Sequence, residues 1–169
     1  MEDRKIRVAI THGDTNGIGY ELIFKTFAEP EMLELCTPVI YGSPKVAAYH
    51  RNVLGIQANF SIINKAEDAH DGRINLLTVF DDDVKVDLGK PSDESGTAAV
   101  KALERAIEDQ RNGLVDAIVG APVNDSNFKS EGIVLNGQSA LLEKKLGNSL
   151  KNLICFHQTH VISSHYCCN

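Results

Sequence analysis

The sequence lacks the features that mark several large classes of protein. It has no apolar run of the length that a membrane-spanning helix needs, and its charged start, residues 1–5, is not followed by the hydrophobic segment of a signal peptide. We therefore expect a cytoplasmic chain with no membrane partner. No internal repeat, low-complexity tract or long linker interrupts its 169 residues, a length that suits one domain with a sizeable core.

Basic charge and paired cysteines are also scarce. The 17 Lys and Arg residues are outnumbered by 23 Asp and Glu residues, which gives a net charge of −6. This balance argues against nucleic acid as the main partner, because phosphate contacts need a basic surface. The four cysteines include no CxxC pair and show no spacing of a disulfide framework. Reduced thiols are expected in a cytosolic chain.

The sequence does contain an alternation of short apolar runs and helix-like segments. Strands are predicted at 6–10, 38–42, 60–63, 75–80, 84–88, 115–119 and 153–156, and helices at 20–28, 44–54, 95–111 and 139–146. Pro30 is expected to stop the first helix, Ser43 to cap the second and Gly55 to end it. This alternation implies βαβ units and an α/β fold, with helices on both faces of a mostly parallel sheet.

Sites in such sheets lie beyond the carboxyl ends of the strands, so the loops after residues 10 and 119 are the places to look. Residues 13–19 read Gly-Asp-Thr-Asn-Gly-Ile-Gly. Gly17 and its neighbouring glycines permit close approach by a ligand, and the helix beyond favours anions. The segment equally suits a tight turn without a ligand, and its spacing is not GxGxxG. Asp14 is a candidate N-cap, a ligand for a hydroxyl group, or a solvated residue.

Two further loops carry polar side chains. Asn124 follows a strand that ends in Gly-Ala-Pro, where its amide is placed to bind a substrate or to lie in an ordinary loop whose exit angle Pro122 fixes. Gln138 and Ser139 precede the last predicted helix. They are either ligand-binding residues or a turn followed by an N-cap at one of the two.

The last thirteen residues are rich in metal-ligand side chains. His157, His160, His165, Cys167 and Cys168 offer imidazole and thiolate donors that suit zinc. Their spacing matches no closed structural zinc pattern, so the alternative is a disordered terminus that happens to be rich in His and Cys.

Four segments, taken in order, resemble the 4-hydroxythreonine-4-phosphate dehydrogenase family of vitamin B6 biosynthesis. They are Ile-Thr-His-Gly-Asp at 10–14 with Gly-Ile-Gly-Tyr-Glu at 17–21, Pro-Val-Ile-Tyr-Gly at 38–42, Ser-Gly-Thr-Ala-Ala at 95–99, and Ala-Pro-Val-Asn at 121–124 followed by Leu-Glu-Lys-Lys-Leu-Gly at 142–147. The resemblance extends from about residue 5 to about residue 154, and it is most like members from the Bacteroidetes.

The resemblance implies a fold similar to isocitrate and isopropylmalate dehydrogenases, in a homodimer with a cleft between two α/β/α domains. It implies oxidation of 4-phosphohydroxy-L-threonine, a small phosphorylated amino acid, with NAD(P)+, followed by loss of CO2. It also implies a divalent metal (zinc, magnesium or cobalt) held by three histidines. Such a metal lowers the pKa of the alcohol and stabilises negative charge as hydride leaves.

The sequence departs from the family at several positions. Gln138 and Ser139 stand where the family has the His and Thr that contact the substrate, and Gln138 carries no titratable proton. Asp125 stands where the family usually has lysine, which reverses a charge near a phosphorylated substrate.

The family's strand pattern is lost after about residue 156. We therefore expect 1–156 to be the N-terminal α/β portion of the dehydrogenase and 157–169 to be a non-family tail, frameshifted or disordered. On this view the fold is incomplete, the metal site is absent and the truncated chain is inactive alone. A non-catalytic α/β module that binds a small ligand is one alternative, and a metal-binding protein that uses the tail is another.

Overall fold

The chain, described here from a computed structural model, is defined for residues 4–80, 84–130, 133–147, 152–155 and 164–167. Five strands form one sheet in the order β3-β4-β2-β1-β5. Their bounds are Arg7–Thr11 for β1, Thr37–Gly42 for β2, Phe60–Ile63 for β3, Ile74–Thr78 for β4 and Ala117–Gly120 for β5. All four strand pairings in this sheet are parallel.

Helices connect these strands and follow the last of them. They are α1 (Gly19–Thr26), α2 (Pro30–Leu35), α3 (Pro44–Leu54), α4 (Asp93–Arg111) and α5 (Gly137–Leu146). Two short antiparallel pairs lie outside the main sheet: β6 (Lys129–Ser130) with β7 (Ile133–Val134), and β8 (Asn152–Cys155) with β9 (Ser164–Cys167). None of the described helices has the length and apolar character to cross a membrane.

Helices cover both faces of the sheet. On one face, Tyr20 and Phe24 of α1 and Val46 of α3 are buried against alternate strand residues such as Ile10 and Ile40. On the other face, Ala102 and Ala106 of α4 are buried against the alternate strand residues, among them Ala9, Val39 and Leu77. The outer side of α4 packs in turn on α5 and Phe128. The prediction of a three-layer α/β fold with a mostly parallel sheet is confirmed.

The helix ends follow local sequence signals. Pro44 occupies the first position of α3, and Gly55 ends it with φ of 63°. Ser43 stands at the N-cap position as expected, but its hydroxyl makes no capping hydrogen bond. Helix α4 begins two residues earlier than predicted, because Ser92 acts as its N-cap. The Oγ of Ser92 accepts a hydrogen bond from the backbone N of Ser95 at 3.1 Å, and the N of Ser92 donates to the Oγ of Ser95 at 3.3 Å.

The predicted strand at 84–88 is wrong. Val84 and Val86 do alternate inward and pack against the core that α1 and α3 form with the sheet, but they lie in a loop and have no partner strand among the described residues. The backbone N of Asp87 instead donates to the Oδ1 of Asn16 at 2.9 Å, and the N of Gly89 donates to the carbonyl of Asn16 at 2.9 Å. The alternation of apolar and polar residues therefore reflects which side chains face the core, and it does not indicate pairing with another strand.

Three helix and strand boundaries also differ from the predictions. Helix α1 ends at Thr26, four residues before Pro30, and Pro30 instead opens α2, a short helix that the sequence did not predict. Helix α5 begins at Gly137 with Asn136 as its N-cap, so the prediction of an N-cap at Gln138 or Ser139 is wrong. The last predicted strand is present at 152–155, where it pairs with an additional strand at 164–167.

Candidate functional site

The carboxyl ends of β1 and β5 lie side by side, because the strand register aligns Thr11 with Gly120. The loops that follow these strands are joined by backbone hydrogen bonds. Asp14 N donates to the carbonyl of Pro122 at 2.9 Å, and Ala121 N donates to the carbonyl of Thr11 at 3.0 Å. The two loops that the sequence indicated as the place for a site therefore form one surface.

Gly13, in the loop after β1, and Gly19, at the start of α1, leave no room for a side chain because other parts of the protein lie too close. Gly13 has φ of 73°, and a Cβ there would lie 2.2 Å from the carbonyl oxygen of Pro122. A Cβ on Gly19 would lie 1.9 Å from the carbonyl oxygen of His12. Gly17 forms a tight turn, in which its N donates to the carbonyl of Asp14 at 3.0 Å. These contacts account for the glycines at 13 and 19 without a ligand.

Asp14 is buried, and both of its carboxylate oxygens are engaged. Its Oδ1 accepts from the backbone N of Asn16 at 2.8 Å, and its Oδ2 accepts from the Nδ2 of Asn127 at 3.0 Å. The N-cap of α1 is Ile18. Asp14 is therefore neither an N-cap nor a solvated residue, and its partner Asn127 is a residue that the sequence analysis missed.

Asn124 does not join Asp14. Its side chain is exposed, and its Oδ1 accepts from the N and the Oγ of Ser126 at 3.0 Å and 2.8 Å. This local turn shapes the loop after β5. Within the described part of the chain, the contacts recorded for the Asn124 side chain stay inside that loop.

Gln138 contacts the loop after β5. Its Nε2 donates to the carbonyl of Ala121 at 2.8 Å, and a Cβ on Gly120 would lie 2.1 Å from its Oε1. Ser139 is half-buried beside it in the first turn of α5. Asp125 lies near the same helix start, because a Cβ on Gly137 would be 3.3 Å from its Oδ1. Gln138, Ser139 and Asp125 therefore surround the start of α5.

Two buried histidines lie behind the first loop, and the sequence analysis did not single them out. The ring of His12 lies between Tyr20 and Phe80, with centroids 5.4 Å and 5.7 Å away. Burial lowers the pKa of His12 to about 4, so its ring is neutral near pH 7. His50 makes a 2.7 Å hydrogen bond between its Nε2 and the carbonyl of Thr15, and burial lowers the pKa of His50 as well.

Buried polar atoms without a partner concentrate at this edge of the sheet. Among the described residues they are the ring nitrogens of His12, the hydroxyls of Thr11, Thr15 and Ser43, and the Oδ1 of Asn127. All of them stand at or just after the carboxyl ends of β1, β2 and β5. Unsatisfied buried polar groups are rare in folded proteins, so their clustering marks this edge as the polar end of the sheet.

The described residues do not fit the metal that the resemblance implies. In the ranges that the structure covers, no group of three His, Cys, Asp or Glu side chains is placed to hold a metal ion. The ring of Tyr20 lies between the two buried imidazoles, with its centroid 5.4 Å from that of His12 and 5.1 Å from that of His50, so the two histidines do not face one common ligand position.

The predicted metal-binding tail falls mostly outside the described residues. His157, His160 and Cys168 lie outside them, and only the backbone is described at His165 and Cys167.

The start of α1 suits a nucleotide phosphate in one respect. No side chain caps its first turn, so the backbone N–H groups there are the kind of donors that bind a phosphate.

A separate cleft lies at the opposite edge of the sheet. It has a volume of about 360 Å³, and it is lined by Phe24, Phe27, Phe60, Gln57, Arg73 and their neighbours. Phe60 and Ile74 begin β3 and β4, so this cleft is at the amino ends of the strands. It does not coincide with the candidate site.

Comparison with known proteins gives one family. The family described as pyridoxal phosphate biosynthetic protein PdxA matches residues 34–165. A 4-hydroxythreonine-4-phosphate dehydrogenase of Bacteroides thetaiotaomicron is 55% identical over 154 residues, which are 91% of this chain and 42% of that protein. The enzyme of the same name from Aquifex aeolicus is 36% identical over 141 residues, which are 83% of this chain and 43% of that protein.

A solved structure gives the same result. The crystal structure of a 4-hydroxythreonine-4-phosphate dehydrogenase from Burkholderia phymatum superposes with a TM-score of 0.76 at 27% identity, over 86% of this chain and 44% of that one. The chain therefore has the fold of these enzymes over most of its length. It spans about two fifths of the length of the curated relatives that it matches.

Proposed function

The chain belongs to the family described as pyridoxal phosphate biosynthetic protein PdxA, and from this premise we propose that it forms part of a 4-hydroxythreonine-4-phosphate dehydrogenase. Residues 1–156 are the N-terminal α/β portion of that enzyme. The full activity is oxidation of 4-phosphohydroxy-L-threonine, with loss of CO2. The observation that carries the proposal is the 55% identity to the Bacteroides thetaiotaomicron dehydrogenase over 91% of the chain.

We propose that the joined loops after β1 and β5 form one side of the active site. Gln138 and Ser139 at the start of α5 contact the substrate. Because a glutamine side chain does not titrate, Gln138 orients the substrate through hydrogen bonds and transfers no proton. Its Nε2 donates one hydrogen to the carbonyl of Ala121, which leaves its second hydrogen and its Oε1 to contact the substrate. When NAD(P)+ is bound, it supplies the hydride acceptor.

We propose further that a divalent metal takes part in the complete enzyme and that its ligands come from outside the residues described here. On this proposal residues 1–169 alone do not turn over the substrate. A homodimer and a cytoplasmic location are proposed from the family resemblance.

A chimera tests the proposal. Residues 5–147 of this chain replace the matching segment of the Bacteroides thetaiotaomicron enzyme, and reduction of NAD+ or NADP+ is followed with the phosphorylated substrate and added zinc, magnesium or cobalt. We expect turnover by the chimera and none by residues 1–169 alone. A folded chimera without turnover contradicts the assignment, and turnover by the 169-residue chain contradicts the proposal that it is inactive by itself.

The Gln138→His variant of the chimera tests the role given to position 138. Restoring the family residue should raise kcat/KM by about tenfold or more if the substrate contacts this side chain. The matched control is Gln57→His, which lies in the cleft at the opposite edge of the sheet. Equal effects of the two substitutions on kcat/KM would show that Gln138 does not contact the substrate. Binding of the substrate without turnover would favour a non-catalytic module.

A further inference from the structure

Three segments that are distant in the sequence meet at the side chain of Asn127. Its Nδ2 lies 3.0 Å from the Oδ2 of Asp14, 2.8 Å from the carbonyl oxygen of Ser92 and 3.0 Å from the Oγ of Ser95, and its two hydrogens are shared among these three acceptors. Asp14 belongs to the loop after β1, and the serines belong to the start of α4. We call Asp14, Ser92, Ser95 and Asn127 the amide junction.

The orientation of the Asn127 amide is fixed by these partners. A flipped amide would point its oxygen at a carboxylate and at a backbone carbonyl, which are both acceptors only. In the observed orientation the Oδ1 of Asn127 is buried without a partner in the described part of the chain. An unpaired buried acceptor is unfavourable, so the hydrogen bonds on the donor side outweigh that penalty.

The backbone at Asn127 is fixed as well. A Cβ on Gly96 would lie 1.9 Å from the carbonyl oxygen of Asn127, so the glycine in the first turn of α4 lets the loop after β5 lie directly on the helix. The carbonyl of Asn127 therefore lies directly against the backbone of α4. The junction ties the loop that contains Asp14 to the start of α4.

Asp14 transmits this position to its own loop. Its Oδ1 accepts from the backbone N of Asn16 at 2.8 Å, while its Oδ2 is held by Asn127. Asn16 in turn donates from Nδ2 to the carbonyl of Lys90 at 2.7 Å. Loss of the Asn127 amide would leave the Oδ2 of Asp14 without this donor. The carboxylate could then rotate, which would weaken the bond between its Oδ1 and the backbone N of Asn16.

We propose that Asn127 is a positioning residue. Its amide holds the carboxylate of Asp14, and thereby sets residues 13–18 in the conformation that a ligand meets at the carboxyl edge of the sheet. The proposal rests on the proposed function for the identity of that ligand, but not for the behaviour of the loop. An amide is required because a carboxylate at this position would face Asp14 and repel it at neutral pH.

The test is hydrogen exchange on the full 169-residue chain without a ligand. Asn127→Asp keeps the side-chain shape and replaces the donor by a titratable group. At about pH 8, with both carboxylates ionised, protection of the amides in residues 13–18 should fall by about tenfold or more. At about pH 5 a proton shared between the two carboxyls should restore a hydrogen bond, so the protection of Asn127→Asp should approach that of the wild type measured at the same pH. Rates are compared after correction for the intrinsic pH dependence of exchange.

Asn124→Asp is the matched control, because Asn124 lies in the same loop but bonds only Ser126 among the described side chains. It should leave residues 13–18 as protected as they are in the wild type at each pH. Protection that falls equally in β2 and β4, or that falls to the same extent at both values of pH, would overturn the proposal in favour of a general loss of stability. Unchanged protection in Asn127→Asp would overturn it as well.

A second variant keeps the test decisive if Asn127→Asp unfolds. The double variant Asp14→Asn with Asn127→Asp exchanges the two groups and restores one amide-to-carboxylate hydrogen bond. It should be folded and should show more protection in residues 13–18 than Asn127→Asp at about pH 8. A double variant that is no better than Asn127→Asp would overturn the proposal. Because no coenzyme or substrate is added, failure of the dehydrogenase assignment leaves this result unaffected.

Discussion

The ring of His12 lies parallel to the ring of Tyr20, with 5.4 Å between centroids and 3° between planes. His12 has no exposed surface, and burial lowers its pKa to about 4. Burial also raises the pKa of Tyr20. Both side chains are therefore neutral in the folded protein near pH 7, and the imidazole behaves as part of the aromatic cluster.

The buried His12 makes folding sensitive to acid. An unfolded histidine takes up a proton as the pH falls through about 6.5, whereas folded His12 does not until about pH 4. The unfolded state therefore binds more protons in this window, and the free energy of unfolding should fall by about 2 kcal/mol between pH 7 and pH 5 from His12 alone. Urea unfolding at a series of pH values measures this change.

The variant His12→Gln should show a smaller fall over the same pH window, whatever its absolute stability. The exposed His70 supplies the control, because His70→Gln should keep the wild-type dependence on pH. If His12→Gln and the wild type lose stability in parallel, His12 does not titrate as described.

A buried hydrogen bond joins Tyr41 of β2 to Asp109 of α4. Its Oη donates to the Oδ2 of Asp109 at 2.8 Å, and the Nε of Arg105 donates to the other carboxylate oxygen at 3.1 Å. Tyr41→Phe leaves one oxygen of a buried carboxylate without its donor, so we expect a loss of about 1.5–3 kcal/mol in urea unfolding. Tyr49→Phe, at an exposed tyrosine, should change stability by less than about 0.5 kcal/mol. Equal effects would contradict the prediction.

Gly96 is a case in which helix propensity and packing disagree. Propensity predicts that Gly96→Ala in α4 is stabilising by about 1 kcal/mol. Because a Cβ there would lie 1.9 Å from the backbone oxygen of Asn127, we expect a loss of more than about 2 kcal/mol instead. Gly55→Ala is the comparison, since it has open space and only the strain of φ at 63°. A Gly96→Ala protein as stable as the wild type in thermal unfolding would refute the close contact.

Ser92 has two structural roles at the start of α4. Its Oγ accepts from the N of Ser95 at 3.1 Å and from the Nδ2 of Asn16 at 3.4 Å. Ser92→Ala removes the cap and the link to the first loop, so the expected loss is about 1–2 kcal/mol by denaturant unfolding. Thr97→Ala removes only an exposed hydrogen bond to the carbonyl of Asp93 and should have a smaller effect. A loss for Ser92→Ala no larger than that of Thr97→Ala would contradict its role as the cap.

Local sequence signals predicted most of the secondary structure. Pro44 and Gly55 set the ends of α3 through their own backbone preferences, and an apolar stripe rich in alanine identified α4. The strand predicted at 84–88 was wrong because alternation records which side chains face inward, and it says nothing about whether a partner strand is available. Helix α2 was missed because Pro30 was interpreted only as a stop.

The site shows the same division. Asp14 and Gln138 were identified from their places after a strand and before a helix, and the structure brings both to the same pair of loops. Asn127 was not identified, because its partner Asp14 is 113 residues away and no periodicity links them. His12 gave no signal either, since a histidine next to a glycine-rich loop is as compatible with solvent as with a core.

By itself, the sequence determined the alternation of strands and helices, the positions of the main turns and the edge of the sheet where a site must lie. These depend on backbone preferences and on periodic burial, which act over a few residues at a time. Only the tertiary structure decided that Asn127 holds Asp14, that His12 is buried and neutral, and that Gly96 must be glycine. Those facts depend on which distant segments share one small volume, and close packing sets them atom by atom.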